Sequence, residues 1–263
     1  MRIVSLASGS SGNAIVIDAG GTRVLVDCGI GPRTLARRLD DARIAPESVS
    51  AVVVTHEHVD HCRGLAAALR RWPWLVLASA GTIRGLDASV LPRATAVKGA
   101  VDIGGITIRL VAVAHDANEP TAVAVADRHT GMRAGIAHDL GEPSTALVDS
   151  FRGVNLLCIE ANHDTGMLRG GPYPAHLKAR IAGATGHLSN DQAAAFIAAV
   201  GTRDLRAVLL LHLSEVNNTP LAACEATRRG VHRRARLASL DAAVRRAPSA
   251  PIGAAAAQLA LAI

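Results

Sequence analysis

The segment His56-Glu57-His58-Val59-Asp60-His61 places three histidines and an aspartate within six residues. Histidines at alternating positions of an extended stretch let two imidazoles reach one metal ion. Asp60 and His61, across the following turn, can address a second. Imidazole and carboxylate donors suit zinc or another first-row ion. Two such ions lower the pKa of a water lodged between them until hydroxide is available at neutral pH, and the chemistry this offers is hydrolysis. A solvated polar loop is the competing reading, but clustering this dense in a chain with 11 histidines argues against chance.

The motif needs a strand to present it, and Ala51–Val54 is a wholly apolar run of strand length that ends in Thr55-His56. Before it, Ile3–Leu6, Ala14–Asp18 and Arg23–Asp27 read as strands, the last two joined by a tight turn at Gly20-Gly21. Arg33–Leu39 and Arg63–Arg71 have helix composition, the second stopped by Pro73. Leu75–Ala78, Ile106–Val113, Thr121–Ala126, Met132–Ala137, Asn155–Ile159 and Arg206–Leu211 are further strands. Helices are predicted at Ala175–Ile181, Asp191–Val200 and near Leu221–Arg229, and Ser189 with Gln192 three residues on forms a capping box. Strands and helices mix in both halves, which predicts two central sheets with helices outside. One domain is expected over 1–247, followed by a loosely ordered Ala/Pro-rich tail over 248–263.

Composition bounds the function. Hydrophobic residues make up 49% and charged residues 19%, an ordinary globular balance. Aromatics are only 2%, which argues against a nucleic-acid binder built on rows of stacking side chains. A net charge of +6 and a pI near 9.9 favour polyanionic partners, although an Arg-rich, Ala-rich genome produces the same shift. Cys28, Cys62, Cys158 and Cys224 form no C-x-x-C pair and read as reduced core residues. Met1–Val4 runs directly into a strand, and no apolar run approaches the ~18 residues needed to cross a bilayer. The expected compartment is the cytoplasm, with no membrane association.

The arrangement His56-x-His58-x-Asp60-His61 resembles the H-x-H-x-D-H motif of the metallo-β-lactamase-fold superfamily. The resemblance implies an αββα sandwich of the α/β (α+β) class, with two divalent ions, Zn²⁺ or Mn²⁺, at one edge. It also implies further ligands from later strands. His115 follows Ile106–Val113 and stands where the third ligand of the first metal is expected. Asp139 follows Met132–Ala137 and matches the bridging aspartate, and His212 follows Arg206–Leu211 and matches the last ligand of the second metal. Each lies just past a strand end, where binding residues gather.

Further segments narrow the match: Ser8–Asn13, His115-Asp116-Ala117, Glu160–Asp164, Gly171-Pro172-Tyr173-Pro174, Gly186–Asn190 and Leu211–Asn218. Together they resemble a narrower group, the WalJ/YycJ-like metal-dependent 5′→3′ DNA exonucleases. The resemblance spans roughly residues 1–230 and implies DNA as partner. His138 departs from it, standing where the group commonly has Thr. For the leaving alkoxide, His187 and His163 are the candidate acids, with Asp60 and Asp139 as the catalytic carboxylates. Ser189 and Asn190 open a helix and are candidate phosphate contacts, and a plain helix cap is the alternative for Ser189. The Ser8–Asn13 loop is either a backbone nest near the metals or a hairpin connection. Arg228, Arg229, Arg233, Arg234, Arg236, Arg245 and Arg246 form a basic segment that is either a DNA-backbone contact or a solvated face. Two other functions compete: a small-molecule ester, thioester, lactone or lactam hydrolase on the same dinuclear site, and a non-enzymatic metal-bound regulatory module.

Overall fold

The computed structural model describes residues 1–234, 238–245 and 247–253. The first sheet runs in chain order through β1 (Arg2–Ala7), β2 (Ala14–Ala19), β3 (Thr22–Val26), β4 (Val49–Val53), β5 (Leu75–Ala78) and β6 (Ala94–Ala96). The second contains β7 (Ala100–Ile103), β8 (Ile106–Ala112), β9 (Thr121–Asp127), β10 (Arg133–Ala137), β11 (Leu156–Glu160), β12 (Ala207–Leu211) and β13 (Ser239–Ala242), laid side by side in reverse order. In each sheet hairpins give way to parallel crossovers, at β3–β4 in the first and β10–β11 in the second.

The helices are α1 (Pro32–Asp41), α2 (Val59–Cys62), α3 (Leu65–Leu69), α4 (Ala80–Gly85), α5 (Thr145–Phe151), α6 (Thr165–Gly170), α7 (Ala175–Ile181), α8 (Asn190–Val200) and α9 (Pro220–Arg234). Period-2 alternation sorts the apolar side chains into layers. On β3, Val24 and Val26 face the second sheet, meeting Ile106, Val123, Ile136 and Leu209. Leu25, between them, faces the helical layer of Leu35, Leu39 and Leu65. A third cluster packs the other face of the second sheet, with Leu157, Ile159 and Leu210, against Phe151 of α5 and Phe196 and Ile197 of α8. The outcome is the expected four-layer αββα sandwich. The Gly20-Gly21 turn is also as expected: both residues have positive φ, 57° and 72°, as a two-residue hairpin turn demands.

The structure adds elements that the sequence did not predict, among them α4, α5, α6, β6 and β7, and three further features differ from the expectations. The helix after the metal motif begins at Val59 rather than Arg63, so Asp60 and His61 sit on its first turn. It then breaks at Gly64, where a Cβ would stand 1.9 Å from the Ile30 carbonyl oxygen. Secondly, residues 248–253, the start of the expected tail, lie along β1: Ile252 and Ile3 exchange backbone hydrogen bonds of 2.9 and 3.0 Å. The remainder of that tail, 254–263, falls outside the described residues. Thirdly, the basic segment supplies the end of α9 and strand β13, beside β12. Arg228 and Arg229 on α9 are exposed, and Arg229 faces Asp191 across the surface at 3.7 Å. Such an exposed pair contributes little to stability. Arg236, Arg246 and the side chains of Arg233 and Arg234 fall outside the described residues.

All four cysteines are free, as expected. Among the described residues no helix is long and apolar enough to cross a membrane.

Candidate metal centre

The C-terminal ends of β4, β10, β11 and β12 open at one edge of the sandwich, and the sequence's polar clusters meet there. His56 and His58 leave the end of β4 in extended backbone, and His56 Nε2 lies 3.1 Å from His58 Nδ1. His115, from the loop after β8, completes a triad with them. Its Nδ1 is held by the carbonyl oxygens of Thr185 (3.1 Å) and Gly186 (3.3 Å), which aims its Nε2 at the cluster.

A second group joins Asp60, His61 and His212. His61 Nε2 is 3.4 Å from Asp60 Oδ2, and His212 Nε2 is 3.6 Å from the same oxygen. Asp139 lies between the groups. Its Oδ2 is 2.9 Å from His61 Nε2, its Oδ1 is 3.5 Å from His212 Nε2, and it also clusters with His56 and His61. Donor atoms on a tetrahedral ion with bonds near 2.0–2.1 Å stand roughly 3.3–3.4 Å apart, so these spacings fit a shared ion. His212 Nε2 is buried without a hydrogen-bond partner, as a lone pair kept for a metal would be.

A polar layer behind the donors orients them, and the sequence reading missed two of its members. Asp27, just past β3, accepts from Thr55 N at 2.8 Å and meets His61 Nδ1 at 2.8 Å and His138 Nε2 at 3.1 Å. Glu160, the last residue of β11, holds His187 Nδ1 at 2.7 Å and His212 Nδ1 at 3.2 Å. Its other oxygen accepts from the backbone of Leu140 and Leu188. An acid closing a buried strand was the available signal. His138, the departure from the family pattern, links the layers, with Nδ1 2.9 Å from Asp139 Oδ2. The Ser8–Asn13 loop proves to be a hairpin connection that supports the donors. Ser8 Oγ accepts from His212 N at 2.7 Å, and the Asn13 carboxamide reaches Asp60 Oδ2 at 3.3 Å and His61 Nε2 at 3.1 Å.

Backbone geometry carries part of the cost of this convergence. Asp27, Asp139 and His212 all have positive φ, 62°, 56° and 52°. Such conformations cost of order 1–3 kcal/mol for a non-glycine residue and cluster at functional sites. Gly29 does the opposite service, since a Cβ there would stand 1.7 Å from the Asp60 carbonyl oxygen. We expect Gly29→Ala to lower stability by at least about 1–3 kcal/mol through overpacking, read as a drop in thermal midpoint, because backbone blocks the added methyl.

The charges reinforce one another. Burial and the neighbouring His61 depress His56, to about 2, so it is a neutral imidazole. Burial opposes charge on His212, but Asp139, Asp60 and Glu160 outweigh it and push the imidazole up to about 10. Burial likewise opposes the Asp139 carboxylate, and His212, His61 and His138 hold it well below the usual carboxylate range.

The candidates are not all brought together. His58, Asp60, His115, Asp139, His187 and His212 line one cleft of about 270 Å³. His187 is at its edge, with a side chain 22% exposed, and burial is again outweighed by Glu160, which raises its pKa. His163 is 2% exposed and does not line the cleft; its backbone pairs with Ser189 and Asn190. Ser189 caps α8, accepting from Gln192 N, while Asn190 and Asn218 exchange amide hydrogen bonds of 3.0 and 2.8 Å. Both side chains are thereby occupied and stand away from the cleft. Of the described basic segment, Arg245 reaches the rim, beside Ser10 and paired with Glu215.

The fold and this donor set define a class. A model of the metallo-beta-lactamase superfamily matches residues 7–180, and the chain belongs to that superfamily of metallohydrolases, with groups suited to divalent metal ions. Within it, the chain is 32% identical over 219 residues to exodeoxyribonuclease YycJ of Bacillus anthracis, covering 81% of this chain and 82% of that one. It is also 32% identical over 228 residues to exodeoxyribonuclease WalJ of Streptococcus pneumoniae, covering 81% of each chain. Among solved structures, Zn²⁺-bound PqqB from Methylobacterium extorquens superimposes with a TM-score of 0.70 at 16% identity, over 95% of this chain and 100% of the other. YhfI from Bacillus subtilis gives 0.67 at 15% identity, over 94% and 98%. At such identities the two structures establish the fold alone.

Proposed function

We propose that this protein is a dinuclear metal-dependent phosphodiesterase that trims DNA from a 5′ end. The observation that carries the reading is the placement of Asp139, whose two oxygens face different imidazoles within one donor cluster. The names of the relatives support DNA as the substrate. His56, His58 and His115 would hold one ion and Asp60, His61 and His212 the other, with Asp139 between them. Zn²⁺ and Mn²⁺ both suit this mixture of imidazole and carboxylate.

Divalent ions bound there supply Lewis acidity, offsetting charge on the scissile phosphate and lowering the pKa of the attacking water. The chain's own residues do the rest. Asp60 reaches into the cleft beside both imidazoles of its group and orients the nucleophile. His187 donates a proton to the leaving alkoxide from Nε2, the ring nitrogen left over once Glu160 has taken Nδ1. Asp27 and Glu160 fix the tautomers and ring planes of His61 and His212.

The reading is tested on duplex DNA labelled at either end, with Mn²⁺, Mg²⁺ or Zn²⁺ supplied. Early release of 5′-terminal mononucleotides is expected. Turnover of a thioester with no cleavage of DNA by the fully metallated protein would overturn it. Asp27→Asn keeps the shape and a side chain tolerant of positive φ, but removes the anion behind His61. We expect metal affinity about 10–100-fold weaker, measured by competition against a chromogenic chelator.

A further inference from the structure

The chain has two Trp, two Phe and one Tyr. Four of these build the core: Trp74 and Phe151 are 0% exposed, Phe196 3% and Trp72 7%. The fifth, Tyr173, is partly exposed and lines the cleft. Its hydroxyl makes no hydrogen bond among the described residues. Beside it, Leu177 and Ile181 of α7 follow at four-residue spacing and line the same cleft. The cleft therefore has a polar floor of imidazoles and carboxylates and one apolar wall ending in an aromatic ring.

The backbone that carries that ring is restricted in advance. Pro172 and Pro174 flank it, fixing their own φ and restricting Tyr173 to extended backbone. Pro174 is the N-cap of α7, with φ −65° and ψ 156°. The turn before it is anchored at Gly171, where a Cβ would meet Asn217 Oδ1 at 2.6 Å and the Met167 carbonyl oxygen at 2.7 Å. A platform that is already ordered loses little entropy when a ligand lands on it.

We propose that Tyr173 is a stacking platform for the terminal base of a bound nucleic acid, with Leu177 and Ile181 completing a one-nucleotide subsite. The proposal rests on the nuclease reading above. About 270 Å³ lies just below the usual range of ligand pockets, about 300–1,000 Å³, and suits one nucleotide rather than a run of them. Low aromatic content excludes a row of stacking residues, but one ring over one subsite is what trimming from an end requires. Recognition of this kind is blind to sequence, since every base has a π-face.

The probes are the 5′-monophosphate of 2-aminopurine deoxynucleoside, whose fluorescence is quenched on stacking, and duplex DNA whose 5′-terminal nucleotide carries thymine or is abasic. Wild type is expected to quench the probe, and to show a KM about 5–150-fold higher for the abasic end. Tyr173→Phe should retain both properties. Tyr173→Leu should lose the quench and bring the two KM values together. Its far-UV circular dichroism should match wild type, because the residue lies outside the core. Equal quenching by Tyr173→Leu, or no quenching by wild type, would overturn the platform. Absence of DNA cleavage by wild type instead overturns the nuclease reading. The fluorescence titration then still decides whether the cleft stacks a nucleotide base.

Discussion

Asp139→Asn is expected to lower phosphodiester cleavage by about a thousandfold or more, because charge stabilisation by metal ions is worth several kcal/mol and 1.36 kcal/mol is a decade of rate. Asparagine is the informative replacement. Asp139 has φ 56°, a region that Asn tolerates, so the backbone need not move. The amide keeps the shape and loses the anion that faces His61 and His212. Bound metal, measured by elemental analysis after dialysis, should fall from two equivalents to one or fewer. A variant that retained two equivalents and full activity would overturn the shared-carboxylate arrangement.

The same substitution has a consequence without metal. In the metal-free protein the Asp139 anion neutralises buried imidazolium groups, and removing one partner of a buried pair costs about 3–5 kcal/mol. The sign with pH follows from the depressed pKa. The contribution of Asp139 is fully present above its unfolded value near 3.9 and is lost as pH falls through the lower folded value. Wild type and variant, both stripped with chelator, should therefore differ in stability at neutral pH and converge on acidification below about pH 4.

Part of the polar cluster was legible because of one rule: a His or Asp just past a buried apolar strand stands at the open edge of the sheet. His56, Asp139 and His212 all obey it. Asp27 obeys it too but reads as the last residue of its strand, since a one-residue error at a strand end hides an acid among apolar neighbours, whereas Glu160 stands outside the predicted strand Asn155–Ile159 and only the structure, where it closes β11, shows what it holds. His163, Ser189 and Asn190 show the opposite case, standing outside the cleft lining. They are adjacent in sequence or space to cleft residues, but capping occupies the Ser189 hydroxyl, amide pairing occupies Asn190, and His163 is buried away from the cleft; a sequence does not show which hydrogen bond a side chain has already made or which way it is buried. The capping box at Ser189 and Gln192 was readable because it is local. Strand β13 was not, because its place depends on pairing with β12 rather than on its own composition.

His187→Gln should lower cleavage of DNA by about 10²–10⁴-fold, the usual contribution of a positioned general acid. Size alone would not separate proton donation from misplaced metal, because Glu160 touches both His187 and His212. The leaving group separates them. A deoxynucleotide p-nitrophenyl ester departs without protonation, so His187→Gln should cleave it within about tenfold of wild type if His187 supplies the proton. A variant that loses both substrates equally would assign His187 to metal placement instead. The pH profile adds an independent sign. The acid works while protonated, so activity is lost as pH rises through the His187 pKa. Glu160 raises that pKa above the ordinary histidine value, which places the alkaline limb above about 6.5. Glu160→Gln removes the nearby anion and should shift that limb toward lower pH. His187→Gln should abolish it, leaving a profile governed by the attacking water.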